Sequence, residues 1–241
     1  MSPRAASAAG TRRRILDAAL ACFVEHGYEQ TTIARIQARS GTSNGALFHH
    51  FRSKEAIADA LYVGAIASFH EGLWELVRRG PGSLRGAVRG TIAHQLRWTE
   101  EHADLARFVY LCGHLDWDSS GGAEVAALNH ELAAALRAWM APLVESGDIR
   151  PTSMLMITAI VSGPAHAIAR RWLAGQLGGP LTSFGEELAD AAVAALRGTA
   201  VPARPVRLLP AESCRVTVEL VAGTGGVVAR GEATARLAPG A

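Results

Sequence analysis

TTIARIQARSGTSNGALFHHFRSK, residues Thr31 to Lys54, is the stretch on which the reading of this chain turns. Thr31 and Thr32 offer capping hydroxyls to a helix about ten residues long, in which Ile33 and Ile36 stand i, i+3 apart. Gly41 falls where a left-handed residue ends that helix. Thr42 or Ser43 then caps a second helix, whose Leu47 and Phe51 face inward at i, i+4 spacing while Ser43, Asn44 and His49 face out. Helix, tight glycine turn and helix is the geometry that lays the second helix in the major groove of DNA.

The charge pattern agrees with that geometry. The chain has 241 residues and a net charge of +2, with 49% apolar side chains, so it has the length and composition to bury a core. Residues 1–56 carry eight basic groups against four acidic ones, which leaves a net −2 on the remainder. A basic head on a mildly acidic body is the electrostatic footprint of a nucleic-acid-binding head. Lys54 is the one lysine among the 24 basic residues. No apolar run has the length of a membrane span, and MSPRAASAAGTRRR lacks the apolar centre of a signal peptide, so a cytoplasmic location is expected. Cys22, Cys112 and Cys214 are scattered and form no metal or redox spacing, which points to reduced structural thiols.

Outward from the opening stretch, residues 1–10 read as a flexible basic arm. From Thr11, the rows Ile15, Ala19, Phe23 and Leu16, Leu20, Val24 form the apolar stripe of a helix ending at Gly27. Ser53 caps a helix running through Leu61, Ala65, Phe69, Leu73 and Val77 to Gly80-Pro81, about 39 Å long at 26 residues, with Glu55 in its first turn. Helical patterns follow from Ser83 and over 103–114, then a loop at 115–122, then a helix from Ala123 with Pro142 inside it. Thr152 caps a segment apolar on nearly all sides, with a kink expected at Pro164, and Leu181 to Arg197 closes the helical series. Residues 199–213 are a proline-bearing linker, and period-two alternation on both sides of AGTGG signals a β-hairpin. The expected class is all-α, with an arm at 1–10, a helix-turn-helix DNA-binding head at 11–56, a helical body at 57–198 and a hairpin-like tail at 199–241.

The pattern TxxxIxxxxGxSxGxLxxHFxSK resembles the N-terminal module of the tetracycline-repressor-like (TetR) family of transcriptional regulators. The resemblance covers about 45 residues, and the tail departs from the usual family pattern. It implies a homodimer on a palindromic DNA operator, a small-molecule effector in the body, and pairing through the helices at 152–175 and 181–197; the mix of large rings and a few imidazoles in the body suits an apolar or amphipathic effector with one or two polar handles. On the head, Ser43 and Asn44 are the candidates for base-edge contact, since Asn pairs bidentately with adenine. Thr32, His49 and Lys54 are candidates for phosphate, Gly45 permits close backbone approach, and Thr42 and Phe48 complete the DNA-facing set. Phe48 stands where the family commonly has Tyr, and Asn44 where Lys or Arg is frequent.

In the body, Trp74, His94, Trp98, His102, Phe108, Tyr110 and Trp117 form a pool of rings from which an effector pocket is expected to draw. No cofactor or metal is expected. His114, Asp116 and Asp118 have ligand-like spacing without a further acidic partner, and His49-His50 project to different sides of a helix. Two other readings stand beside the first. One is a DNA-bound regulator without an effector. The other is an enzyme, supported only by a faint likeness of the tail to the closing strands of hot-dog thioesterases; the chain lacks a nucleophile elbow, an HExxH motif and a phosphate loop.

Overall fold

The computed structural model describes residues 3–112, 115–150, 152–197, 213–221 and 227–236. The chain divides into two units, residues 1–200 and 201–241.

The first unit is all-helical. Helix α1 spans Pro3–Gln30 and is broken at Gly27, where φ is 78°. Its start corrects the expected arm at 1–10: helix begins at Pro3, a residue suited to the first helical position, and Ala5, Ala6, Ala8 and Ala9 carry it to the amphipathic part. Helices α2 (Ile33–Ser40) and α3 (Asn44–His50) follow, separated by Gly41 in the left-handed region at φ 62°. Helix α4, Lys54–Arg79, is the long helix expected from Ser53, whose hydroxyl accepts from Ala56 N–H. Together α1 to α4 enclose one apolar core around Ile15, Ala19, Phe23, Ile36, Leu47, Phe51, Ile57 and Leu61.

The body adds α5 (Leu84–Glu101), the short α6 (Ala103–Arg107), a π-helical turn over Phe108–Cys112, α7 (Ser120–Glu145), α8 (Met154–Leu173), a 3₁₀ turn at Leu181–Phe184 and α9 (Gly185–Arg197). Its core joins α5, α7, α8 and α9 through Val88, Ile92, Leu96, Trp139, Ile157, Val161, Val193 and Leu196. Arg85 and Arg89 of α5 pair with Asp190 and Glu186 of α9 across the surface of that core.

Three boundaries differ from the sequence reading. Ser153, rather than Thr152, caps α8 by accepting from Met156 N–H. Residues 120–122, expected in a loop, open α7 behind the Ser119 cap. Their glycines serve helix packing there: a side chain on Gly121 would strike Asp59 of α4, and one on Gly122 would strike the backbone at Asp116 and Trp117. Of the expected helix over 103–114, the described residues 103–112 form α6 followed by the π turn. Pro142 and Pro164 both lie inside continuous helices.

The linker at 199–212, the AGTGG turn, and His114 of the weighed metal spacing lie outside the described residues.

Candidate nucleic-acid interface and body cavity

The two threonines at the head of α2 divide the work. Thr32 is exposed and caps the helix, its hydroxyl accepting from Arg35 N–H. Thr31 is buried, and its hydroxyl donates toward the carbonyls of Gly27 (2.8 Å) and Cys22 (3.1 Å), tying α2 to the end of α1. The open choice between Thr42 and Ser43 resolves similarly. Ser43 caps α3 by accepting from Ala46 N–H, while Thr42 is buried with its hydroxyl 2.8 Å from that of Ser40. Of the expected DNA-facing set, Thr32, Ser43, Asn44, Gly45, Phe48 and His49 are exposed, with Phe48 46% accessible despite its apolar ring. Leu47 and Phe51 point the other way, into the head core.

Lys54 sits differently from a free phosphate ligand. Its ammonium donates to the Tyr28 carbonyl at 3.0 Å and lies 4.1 Å from the centre of the Tyr28 ring, which locks the start of α4 to the end of α1. The Tyr28 hydroxyl in turn donates to Glu55 at 3.2 Å. Burial first, then the Glu55 charge, pushes Tyr28 up to about 12. Hydrogen bonds from its own backbone N–H and the Ser53 hydroxyl hold Glu55 below its usual range. The arginines of α2 are engaged as well: Arg39 pairs with Glu25 at 2.7 Å and Arg35 donates to the Gln30 carbonyl. Arg12 lies 5.2 Å from the Phe51 ring centre. His49 and His50 meet edge to face at 5.3 Å, and among the described residues no group of three or more His, Cys, Asp or Glu side chains is placed to hold a metal.

The body contains a cavity of about 220 Å³. It is lined by Phe69, His70 and Leu73 of α4, by Val88 and Thr91 of α5, by Leu132, Leu136, Trp139 and Met140 of α7, and by Ile157, Thr158, Val161, Ser162 and His166 of α8. None of the seven rings pooled from the sequence lines it, and each has another place. Trp98 is buried edge-on against Phe69, its indole N–H donating to the Ser68 hydroxyl. His94 lies 2.8 Å from the Phe69 carbonyl, in a space that only the missing side chain of Gly72 leaves open. His102 lies tilted against Trp98 with ring centres 5.3 Å apart, and Trp117 is 58% exposed. Trp74 lies outside the lining although it sits on α4 beside Leu73. Phe108 belongs to the head core, stacked on Phe23 at 5.4 Å. Tyr110 packs behind the wall, its ring edge-on to His166 at 5.4 Å.

The sequence reading missed His70, Trp139 and His166. Their signal was a polar atom riding on an otherwise apolar helical face. Burial lowers the pKa of both His70 and His166, so both imidazoles are neutral at neutral pH.

A short exposed helix, capped and pinned by the helix before it and mounted on a long stem into an all-helical body, defines a helix-turn-helix protein. Residues 15–61 match the model of bacterial regulatory proteins of the tetR family. The chain therefore carries the TetR-family module on a TetR-like helical fold. It is 40% identical to the HTH-type transcriptional repressor Rv1474c of Mycobacterium tuberculosis, over 41% of this chain and 62% of that one. It is 49% identical to the HTH-type transcriptional repressor AcnR of Corynebacterium efficiens over the same two shares, 41% and 62%. The chain thus spans about three fifths of the length of these relatives. In fold it is similar to the fatty acid degradation regulator FadR of Bacillus halodurans, with TM-score 0.66 and 15% identity over 82% of this chain and 98% of that one. It is also similar to FadR of Bacillus subtilis in complex with stearoyl-CoA, with TM-score 0.64 and 17% identity over 75% and 97%. Among the described residues no helix is long and apolar enough to cross a membrane.

Proposed function

We propose that the chain is a homodimeric, ligand-responsive DNA-binding regulator of transcription, acting as a repressor in the cytoplasm. The observation that carries this reading is the outer face of α3, where Ser43, Asn44, Gly45, Phe48 and His49 are exposed while Leu47 and Phe51 anchor the helix from behind. Asn44 and Ser43 read base edges, and Thr32, His49 and the remaining donors of Lys54 meet phosphate. Thr42 acts from within, holding the turn through Ser40.

Dimerisation is assigned to α8 and α9. Leu155, Met156, Ala159, Gly163, Pro164 and Ala167 leave an apolar strip exposed on α8, with Ala191, Ala194 and Ala195 exposed on α9. Two heads about 34–36 Å apart read a palindrome across successive major grooves. Communication runs through the π turn: Phe108 is wedged in the head core, while Tyr110, two residues on, presses against His166 of the cavity wall. A ligand that binds better when the wall is displaced shifts Tyr110, and with it Phe108 and the head. For the tail we propose an added antiparallel hairpin, supported by the alternation on either side of residues 222–226.

Electrophoretic retardation of a palindrome selected from random DNA tests the reading. Binding as a dimer per site is expected; failure to retain any palindrome at low salt refutes it.

A further inference from the structure

The body cavity has an uneven set of polar groups. Its lining contains no Arg, Lys, Asp or Glu. The hydroxyls of Thr91 and Thr158 donate to the carbonyls of Ala87 and Met154, one turn back on their own helices. His166 hydrogen-bonds the Ser162 backbone. Two of the lining groups are buried without a partner: His70 is 6% exposed and its Nδ1 has none, and Trp139 is 9% exposed and its indole Nε1 has none either. A buried polar atom left unpaired costs free energy that an incoming partner recovers. The indole N–H only donates, so the partner it lacks is an acceptor, whereas an imidazole nitrogen donates or accepts according to tautomer.

We propose that this cavity binds a neutral, mainly apolar molecule of roughly nine heavy atoms, whose carbonyl or hydroxyl oxygen pairs with the Trp139 N–H and the His70 imidazole. The proposal rests on the reading of the body as an effector-binding domain and specifies the effector's chemistry. Size follows from volume: a cavity of about 150 Å³ takes one benzene, six heavy atoms, and the same ratio carried to this cavity gives roughly nine. A molecule as long as the stearoyl-CoA held by the Bacillus subtilis structure is too large for about 220 Å³. Neutrality follows from the wall. A carboxylate would lie against leucine, methionine and valine with no counter-charge, and burial keeps both imidazoles from supplying one.

The test is calorimetry on the full chain with four probes. These are 2-octanone, 2-methyl-1-octene, which replaces its oxygen by a methylene at equal size, octanoate, and stearoyl-CoA. The ketone is expected to bind about five- to tenfold more tightly than the alkene, the yield of one net hydrogen bond. In Trp139→Phe and His70→Phe that ratio falls toward one in at least one variant, while the alkene still binds both, which shows the cavity intact. The proposal is overturned if octanoate or stearoyl-CoA binds as tightly as the ketone, if neither neutral probe binds, or if both variants keep the full ratio. Retardation of a palindrome by the same preparation separates the two readings. DNA binding without ketone binding removes the ligand class and leaves the regulator. Ketone binding that obeys the ratios but never alters retardation upholds the ligand class and removes the regulatory role of the cavity.

Discussion

Asn44 and Phe48 stand one turn apart on the exposed side of α3, and they are expected to act on DNA in different ways. Replacing Asn44 by Ala removes a side chain able to pair with adenine, so selection from random DNA should return a relaxed base at one position of each half-site, a loss of about 1–3 kcal/mol of discrimination. Phe48→Tyr adds a hydroxyl at a half-exposed position, so binding to all sequences should tighten several-fold without a change in preference; an altered preference would mean that Phe48 touches bases. Lys54→Ala should weaken binding uniformly and flatten the salt dependence by about one unit of slope. It should also lower the melting temperature, because the ammonium is bonded to the Tyr28 carbonyl. Thr31→Val isolates that second effect elsewhere in the head. It deletes the hydroxyl shared by Cys22 and Gly27 and should cost about 1–3 kcal/mol in denaturant unfolding, with base preference untouched.

At the scale of elements, legibility followed the range of the interaction involved. The Ser53 cap acts within three residues, so it was readable from the chain alone, and the same short range narrowed the α3 cap to Thr42 or Ser43. Gly121 and Gly122 looked like a loop because glycine breaks helices locally; their purpose, room for Asp59 of α4 and for the Asp116 backbone, is a tertiary fact that overrides propensity. The pooled rings and the cavity lining part for the same reason. Spacing shows that Phe108 and Trp98 are inward-facing but not which of several cores they enter, and the π turn rotates Phe108 into the head while Tyr110 stays with the body. The cavity wall is built mostly from leucines, methionines, valines and isoleucines, which nothing in sequence sets apart from core. Gly72 supplies a test of this layer. Ala at that position would drive into the His94 ring, so Gly72→Ala should destabilise the body by about 1–3 kcal/mol and reduce ligand-dependent release more than DNA affinity.

For the whole molecule, three histidines of the helical body, His70 buried and His94 and His166 partly buried, set the response to acid. Burial holds His70, His94 and His166 below the ordinary imidazole value. When pH falls below about 6.5, the unfolded chain takes up protons at these positions while the folded chain does not, so stability must fall with pH in that range. A melting temperature that declines from neutral pH toward the folded-state values, and less steeply in His70→Phe, is the expected record. Assembly has its own test: a charge placed on the α8 strip, Ala167→Glu, should give a monomer by light scattering and abolish operator retention while the helical signal persists. The sole lysine of the chain carries a different consequence. Apart from the chain's amino terminus, an acylating reagent meets a single amine, and that amine lies in the DNA-binding head, half-buried against an aromatic ring. The rate at which it is acylated becomes a built-in reporter, expected to be slow when the head is covered by DNA and faster when it is released, with no label to introduce and no other lysine to compete.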